Sequence, residues 1–181
     1  MADSIALFRY PQMRLDMARV GALLYGCASR ETPFTPLRVM CLCARITSIR
    51  DVPQGEGVGY DETYVTRRAT RIATLPIGYA DGIVRRLRDR GEVSLHGKRA
   101  PYAGLPCMDQ TMIDVTDIAD ATVGDVVTLL GGVGPDAITY EEFAAWTNTN
   151  RNECLCLTGR RVPLVYIEYG EVVAIDDPLI Y

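Results

Sequence analysis

From Leu37 onward, short runs of β-forming residues recur, each closed by a break that carries glycine or proline. Val39–Ile49 comes first, and the loop Asp51–Gly59 (DVPQGEGVG) follows it. Thr63–Thr66 then leads into Thr70–Ile77, and Glu92–Leu95 and Arg99–Tyr102 flank His96-Gly97-Lys98 as a hairpin would. Met112–Val115, Val126–Leu130, Leu164–Tyr169 and Glu171–Ile175 complete the set, the last two joined at Gly170. Short strands at such spacing build a barrel or a sandwich. One helix is signposted. Thr139-Tyr140-Glu141-Glu142 is a capping box, with Phe143 and Trp146 on one face behind it. The pattern predicts a mainly β, barrel-like fold with one or two short helices.

The first 26 residues differ: Ser4–Phe8 and Ala18–Tyr25 are short apolar pieces around a mixed connection, and two short strands or strand-plus-turn pieces fit them. Ser29–Pro36, with two prolines, reads as a linker. With 48% hydrophobic and 23% charged residues, the chain has the composition of a globular protein. A net charge of -4 gives no electrostatic reason to expect nucleic acid or an anionic membrane. No apolar run approaches the roughly 20 residues that a membrane-spanning helix needs, so a soluble chain is expected.

Two counts narrow the chemistry. Of the 19 basic residues Lys98 is the one lysine, and His96 is the one histidine. One histidine all but excludes a histidine-rich metal site or a triad with a spare base. The six cysteines include two C-x-C pairs, Cys41/Cys43 and Cys154/Cys156. In an extended strand such pairs share a face, so buried small apolar residues are expected rather than a metal site, in a reducing cytosol. Gly57-Val58-Gly59-Tyr60 and Gly78-Tyr79-Ala80-Asp81-Gly82 each present a phenol from a glycine turn. A tyrosine can act as a general acid or base, although on residue type alone a structural role is the commoner one. His96 reads as a surface turn residue, and Cys107-Met108-Asp109-Gln110 as either a turn or the edge of a pocket. Gly131–Pro135 lacks the strand–helix context of a nucleotide loop and reads as a hairpin loop.

Together these motifs resemble the C-terminal β domain of the alanine racemases. Glu56–Tyr60, Leu75–Gly82, His96–Pro101, Cys107–Met112 and Arg161-Val162-Pro163 stand in that family's order. Residues 1–28 resemble the end of its (β/α)8 barrel, through Asp3-Ser4 and Leu15–Gly26, with residues 29–37 as linker and 38–181 as the β domain. The resemblance implies a pyridoxal phosphate enzyme. Ser4, Gly21 and Ala22 match the residues that hold the cofactor phosphate, and Arg19 matches the arginine facing the pyridine nitrogen. Tyr60 matches one of two catalytic bases, the other being a lysine near the start of the barrel, which nothing before Ser4 supplies. Lys98 lies in the hairpin motif and is rejected for that role. A piece of this extent is expected to be inactive alone.

The resemblance further implies that Tyr79 lines the substrate entrance and that Met108 lies at the substrate carboxylate. It also implies a homodimer in which Tyr60 reaches the partner's barrel, so that each active site is shared. Three positions depart from the family pattern: Asn152 replaces a tyrosine that packs on the cofactor phosphate, Leu105 replaces an arginine, and Asn150 replaces an apolar residue. An amide in place of a phenol leaves room for a hydroxyl, which points to L-serine besides L-alanine. That pattern resembles the serine/alanine racemases of vancomycin resistance, which supply D-serine to peptidoglycan precursors. Such proteins are cytoplasmic domains of membrane-anchored parents, anchored through an upstream segment. The alternatives are an ordinary alanine racemase and a non-catalytic dimerisation domain.

Overall fold

The structure is a computed structural model, and it describes residues 1–27 and 32–180. Most of the linker's first half therefore lies outside the described residues. Two very short strands, β1 (Ala2–Asp3) and β2 (Ala18–Arg19), pair in parallel, with helix α1 (Ser4–Arg9) and a 3-10 turn between them. Ser4–Phe8 is thus helical where a strand was expected. The reason is local: Asp3 Oδ1 accepts the amides of Ile5 and Ala6 at 3.1 and 2.8 Å, which starts a helix at Ser4.

The β domain runs through β3 (Leu42–Arg45), β4 (Ser48–Val52), β5 (Gly57–Val58), β6 (Tyr64–Val65), β7 (Thr70–Leu75), β8 (Glu92–Leu95), β9 (Lys98–Pro101), β10 (Thr111–Asp114) and β11 (Val126–Leu130). Helices α2 (Tyr140–Thr147) and α3 (Arg151–Cys156) follow, and then the hairpin β12 (Leu164–Glu168) and β13 (Glu171–Asp176). One sheet has the order β10-β7-β4 and another β3-β11-β8-β9, all antiparallel. The expected run Val39–Ile49 is split at Ile46–Thr47, where the chain changes sheets. The Ile46 amide donates to Asp125 O while the next amide, Thr47, donates to Thr74 O, both at 2.9 Å. Across the other side, a single bridge between Tyr102 and Ile113 joins β9's end to β10. The result is barrel-like without a continuous closed ladder.

The core lies between these sheets. β7 is central, and Ala73 and Leu75 on it are fully buried along with Val93, Ile113, Val127 and Leu129 from neighbouring strands. α2 covers one end with Tyr140, Phe143, Ala144 and Thr147, the i, i+3, i+4, i+7 face of an amphipathic helix. Its capping box is formed as expected, with Glu142 N donating to Thr139 Oγ1 at 3.1 Å and Thr139 N to Glu142 Oε2 at 3.0 Å. The β8–β9 hairpin turns through His96 and Gly97, both in the left-handed region (φ 50° and 72°), the geometry that suits a two-residue hairpin. His96 sits between two carboxylates, Nδ1 3.0 Å from Asp120 and Nε2 3.2 Å from Asp125.

The cysteine expectation is corrected. Cys154 and Cys156 lie in α3, not in a strand, so only Cys154 is buried, because i and i+2 fall on different faces of a helix. Cys43 lies in β3 and Cys41 just before it, and their thiols do share a side, but it is the exposed one. The loop at Gly131 leads into α2 and is pinched by mutual hydrogen bonds between Gly131 and Ile138. Among the described residues no helix is long and apolar enough to cross a membrane, and no group of three or more potential ligands could hold a metal ion.

Candidate active site

Tyr79 and Met108 are brought together by backbone. Gly78 lies so close to the Cys107–Met108 turn that a Cβ on it would meet Cys107 O at 2.3 Å and Met108 O at 2.4 Å. That approach lets the next two amides bond across: Tyr79 N donates to Cys107 O at 2.9 Å and Ala80 N to Met108 O at 3.0 Å. Both side chains are left partly open, Tyr79 at 44% and Met108 at 53% exposure.

Charge locks the same two turns. Asp81, 5% exposed, accepts Gly78 N at 2.9 Å and receives Arg161 through Nε at 2.5 Å and Nη2 at 3.1 Å. Arg161 Nη2 also reaches Asp109 at 2.5 Å. The two carboxylates raise the arginine's pKa further, so it stays charged. The segment after α3 joins in, with Gly159 N donating to Asp81 O at 3.0 Å. From below, the buried Thr111 hydroxyl donates to Ile77 O at 2.6 Å. Asp81 and Arg161 were visible in the sequence only as parts of motifs. A carboxylate between two glycines and an arginine before a strand do not reveal, without the fold, that they face one another.

Tyr60 is delivered separately. β5 ends at Val58, and the chain then turns through Gly59, Asp61 and Glu62, the last two in the left-handed region (φ 58° and 47°). Tyr60 is 65% exposed. Its loop rests on Met112 and Leu105: a Cβ on Gly59 would lie 3.0 Å from Met112 Cε and 3.8 Å from the Leu105 backbone. Leu105 itself is buried. The Tyr60 loop thus sits on β10, the strand that leaves the Met108 turn.

Ser4, Arg19, Gly21 and Ala22 form the other group. The parallel pair β1–β2 sets Asp3 opposite Arg19, and the Gly21 amide donates to Ser4 Oγ at 3.3 Å. A Cβ on Gly21 would meet nothing within 4 Å, so the space beside these donors is open. Asn152 is exposed on α3, which packs against the Ala22–Tyr25 turn. Asn150, which stands where the family pattern has an apolar residue, is the N-cap of α3: its Oδ1 accepts the amides of Asn152 and Glu153, both at 3.0 Å. Lys98 lies elsewhere, on β9, with Nζ 3.4 Å from Asp117 O.

Residues 39–166 match the family model described as alanine racemase, C-terminal domain. Curated relatives include the alanine racemases of Desulfovibrio desulfuricans, 46% identical over 92% of this chain and 45% of that protein, and of Methanococcus maripaludis, 40% identical over 92% and 45%. Among solved structures, alanine racemase from Bacillus anthracis with bound L-Ala-P superposes with a TM-score of 0.90 at 35% identity, over 97% of this chain and 46% of that one. Clostridium difficile 630 alanine racemase gives 0.90 at 36% identity, over 99% and 47%. The chain spans about half the length of the relatives it matches. With that match over most of its length, the chain belongs to the alanine racemase family and carries that family's C-terminal domain.

Proposed function

We propose that the protein containing this chain interconverts L- and D-alanine with pyridoxal phosphate, and that this chain brings Tyr60 to the reaction as one of its two bases. The observation that carries the reading is the presentation of Tyr60: an exposed phenol on a turn through the left-handed Gly59, Asp61 and Glu62, with Gly59 lying against Met112 of β10. In this reading the enzyme is a homodimer whose active sites each draw on two subunits. Residues 1–28 are the end of the (β/α)8 barrel, residues 29–37 the linker, and residues 38–181 the β domain. The parallel β1–β2 pair with a helix between supports the barrel assignment, since parallel neighbours need such a crossover.

The donors near β2 suit a phosphate. Ser4 offers a hydroxyl proton, Gly21 an amide that now donates to Ser4 Oγ with open space beside it, Ala22 the next backbone amide, and Arg19 a positive charge. Ser4, Gly21 and Ala22 would hold the phosphate, with Arg19 toward the ring nitrogen. Pyridoxal phosphate, when bound, supplies the electron sink that makes an amino acid's α-proton labile. Tyr60 Oη then takes or returns that proton on one face of the α-carbon. Racemisation needs a second base on the opposite face, which lies outside this chain. Tyr79 shapes the approach to the site, and Met108 borders the substrate carboxylate. Alone, the chain is inactive in this account.

The expectation of serine turnover, and of D-serine for vancomycin resistance, gains no support from the comparisons: the relatives and structures described above are named alanine racemases. L-alanine is therefore the proposed substrate, and Asn152, exposed on α3, is a tolerated change. The test is racemisation of L-alanine and L-serine by the full-length protein and by its Asn152→Tyr form. Alanine turnover with serine ignored by both forms supports this reading. Serine turnover that falls selectively with tyrosine would restore the serine reading, within the 10–200-fold range that one small pocket change can give.

A further inference from the structure

Cys41 and Cys43 stand apart from the proposed racemase chemistry. Their Sγ atoms are 3.3 Å apart in hydrogen-bonding contact, and both residues are exposed. Thr128 on the neighbouring strand β11 lies beside both, its Oγ1 3.8 Å from Cys43 Sγ and 4.0 Å from Cys41 Sγ. The backbone there is held from three directions. Cys43 pairs with Thr128 in the β3–β11 ladder, whose register shifts between Thr128 and Leu130. Tyr140 Oη donates to Met40 O at 3.0 Å, and a Cβ on Gly131 would come within 3.0 Å of Cys41 Cα.

We propose that Cys41 and Cys43 form a redox-active dithiol that closes to an intramolecular disulfide when it meets a small-molecule disulfide. Residues i and i+2 of an extended chain have Cα atoms about 6.6 Å apart, inside the roughly 4.4–6.8 Å that a disulfide spans. The side chains already share a face with their sulfurs in contact, and closing the bond draws the two Cβ atoms to within about 4.5 Å, which takes a bend of the backbone at Cys41. Cys41 precedes β3 and lies beyond the bulge, so the bend falls outside the regular ladder, with the contacts at Met40 and Gly131 keeping it local.

The two thiols are unequal. The thiol–thiol hydrogen bond lowers Cys43 to about 6 and pushes Cys41 up, with Thr128 adding a further hydrogen bond to the Cys43 thiolate. Cys43 is the attacking sulfur and Cys41 the resolving one. In the first step the Cys43 thiolate bonds to one sulfur of the disulfide RSSR and expels RS⁻. In the second, Cys41 loses its proton, bonds to Cys43 Sγ and expels the other RS⁻. The protein loses two protons and two electrons, and RSSR is reduced to two thiols. Cys27 and Cys154, by contrast, are buried, and desolvation raises their thiols.

The test treats the full chain with oxidised glutathione near pH 7, traps the remaining thiols with iodoacetamide and maps peptides by mass spectrometry. Arg38 and Arg45 flank the pair, so trypsin delivers both cysteines in one peptide, Val39–Arg45. The expected result is that peptide lacking two hydrogens and unalkylated, formed at least about tenfold faster than Cys156, the exposed helical cysteine, becomes glutathionylated. Cys41→Ser is expected to stop at a glutathione on Cys43, whereas Cys43→Ser leaves Cys41 slow. Two alkylated cysteines in the peptide, two glutathiones on it, or modification no faster than that of Cys156 would each overturn the proposal.

Discussion

Arg161 grips the buried carboxylate of Asp81 with two nitrogens, at 2.5 and 3.1 Å, and extends the second to Asp109. The chain positions so joined are 80 and 52 residues apart. Because Asp81 ends the Tyr79 turn and Asp109 follows Met108, one guanidinium fixes the relation between two candidate substrate-facing side chains.

Arg161→Ala is expected to lower the unfolding temperature by several degrees, since Asp81 stays buried with its charged partner gone. The amides of Tyr79 and Ala80, which bond across to the Met108 turn, should then exchange with solvent at least about tenfold faster. Arg161→Lys should recover only part of both effects, because a lysine cannot reproduce the fork. Hydrogen exchange followed by mass spectrometry reads this directly. Unchanged protection in Arg161→Ala would show that the clamp is ornamental.

Gly78→Ala forces a Cβ into the backbone of Cys107 and Met108, so it should cost about 1–3 kcal/mol in urea denaturation, the range of overpacking. A Gly78→Ala protein as stable as the unmodified one would contradict the close approach at Gly78.

Asn150 has a structural task in this fold that its sequence context hid. Replacing it by alanine removes the acceptor for two amides at the start of α3 and should destabilise by about 1 kcal/mol. Asn150→Asp should be nearly neutral, as both residues cap well. Loss of stability in Asn150→Asp equal to that in Asn150→Ala would argue against the cap.

Alkaline pH should unfold the domain through its buried phenols. Burial, followed by a hydrogen bond to Asp114 at 2.7 Å, pushes Tyr64 up to about 12; burial likewise raises Tyr140 to about 12 and Tyr102 upward. These folded-state values exceed the roughly 10 of an unfolded tyrosine. The stability they contribute is therefore complete below about pH 10 and is lost as pH rises through 12. Thermal melts from neutral pH upward should decline over that window, and Tyr64→Phe should shrink the decline. A flat profile to pH 12 would refute the assignment.

The strands were legible because their apolar residues alternate between punctuating glycines, and the helix at Thr139 because its cap is written locally. Ser4–Phe8 was misread because the apolar run carries no period strong enough to choose, and the deciding group, the Asp3 carboxylate, lies just outside it. Cys154/Cys156 failed for a related reason: a C-x-C spacing has meaning only once the period is known. The site residues themselves were found through family motifs. What joins them, Arg161 to Asp81 and Gly78 to Met108, is long-range contact that no local pattern encodes.

The central claim is that Tyr60 is a proton-transferring base, and solvent deuterium incorporation at the α-carbon tests it most directly. The equilibrium between enantiomers forces racemisation in the two directions to fall together, so each enantiomer's exchange must be followed separately. In the full-length protein carrying Tyr60→Phe, racemisation of alanine should fall by about 10²–10⁴-fold. Exchange into one enantiomer, L-alanine, should fall with it, while D-alanine continues to exchange without inversion through the opposite base. Unchanged racemisation, with L-alanine exchanging at the unmodified rate, would remove Tyr60 from the reaction.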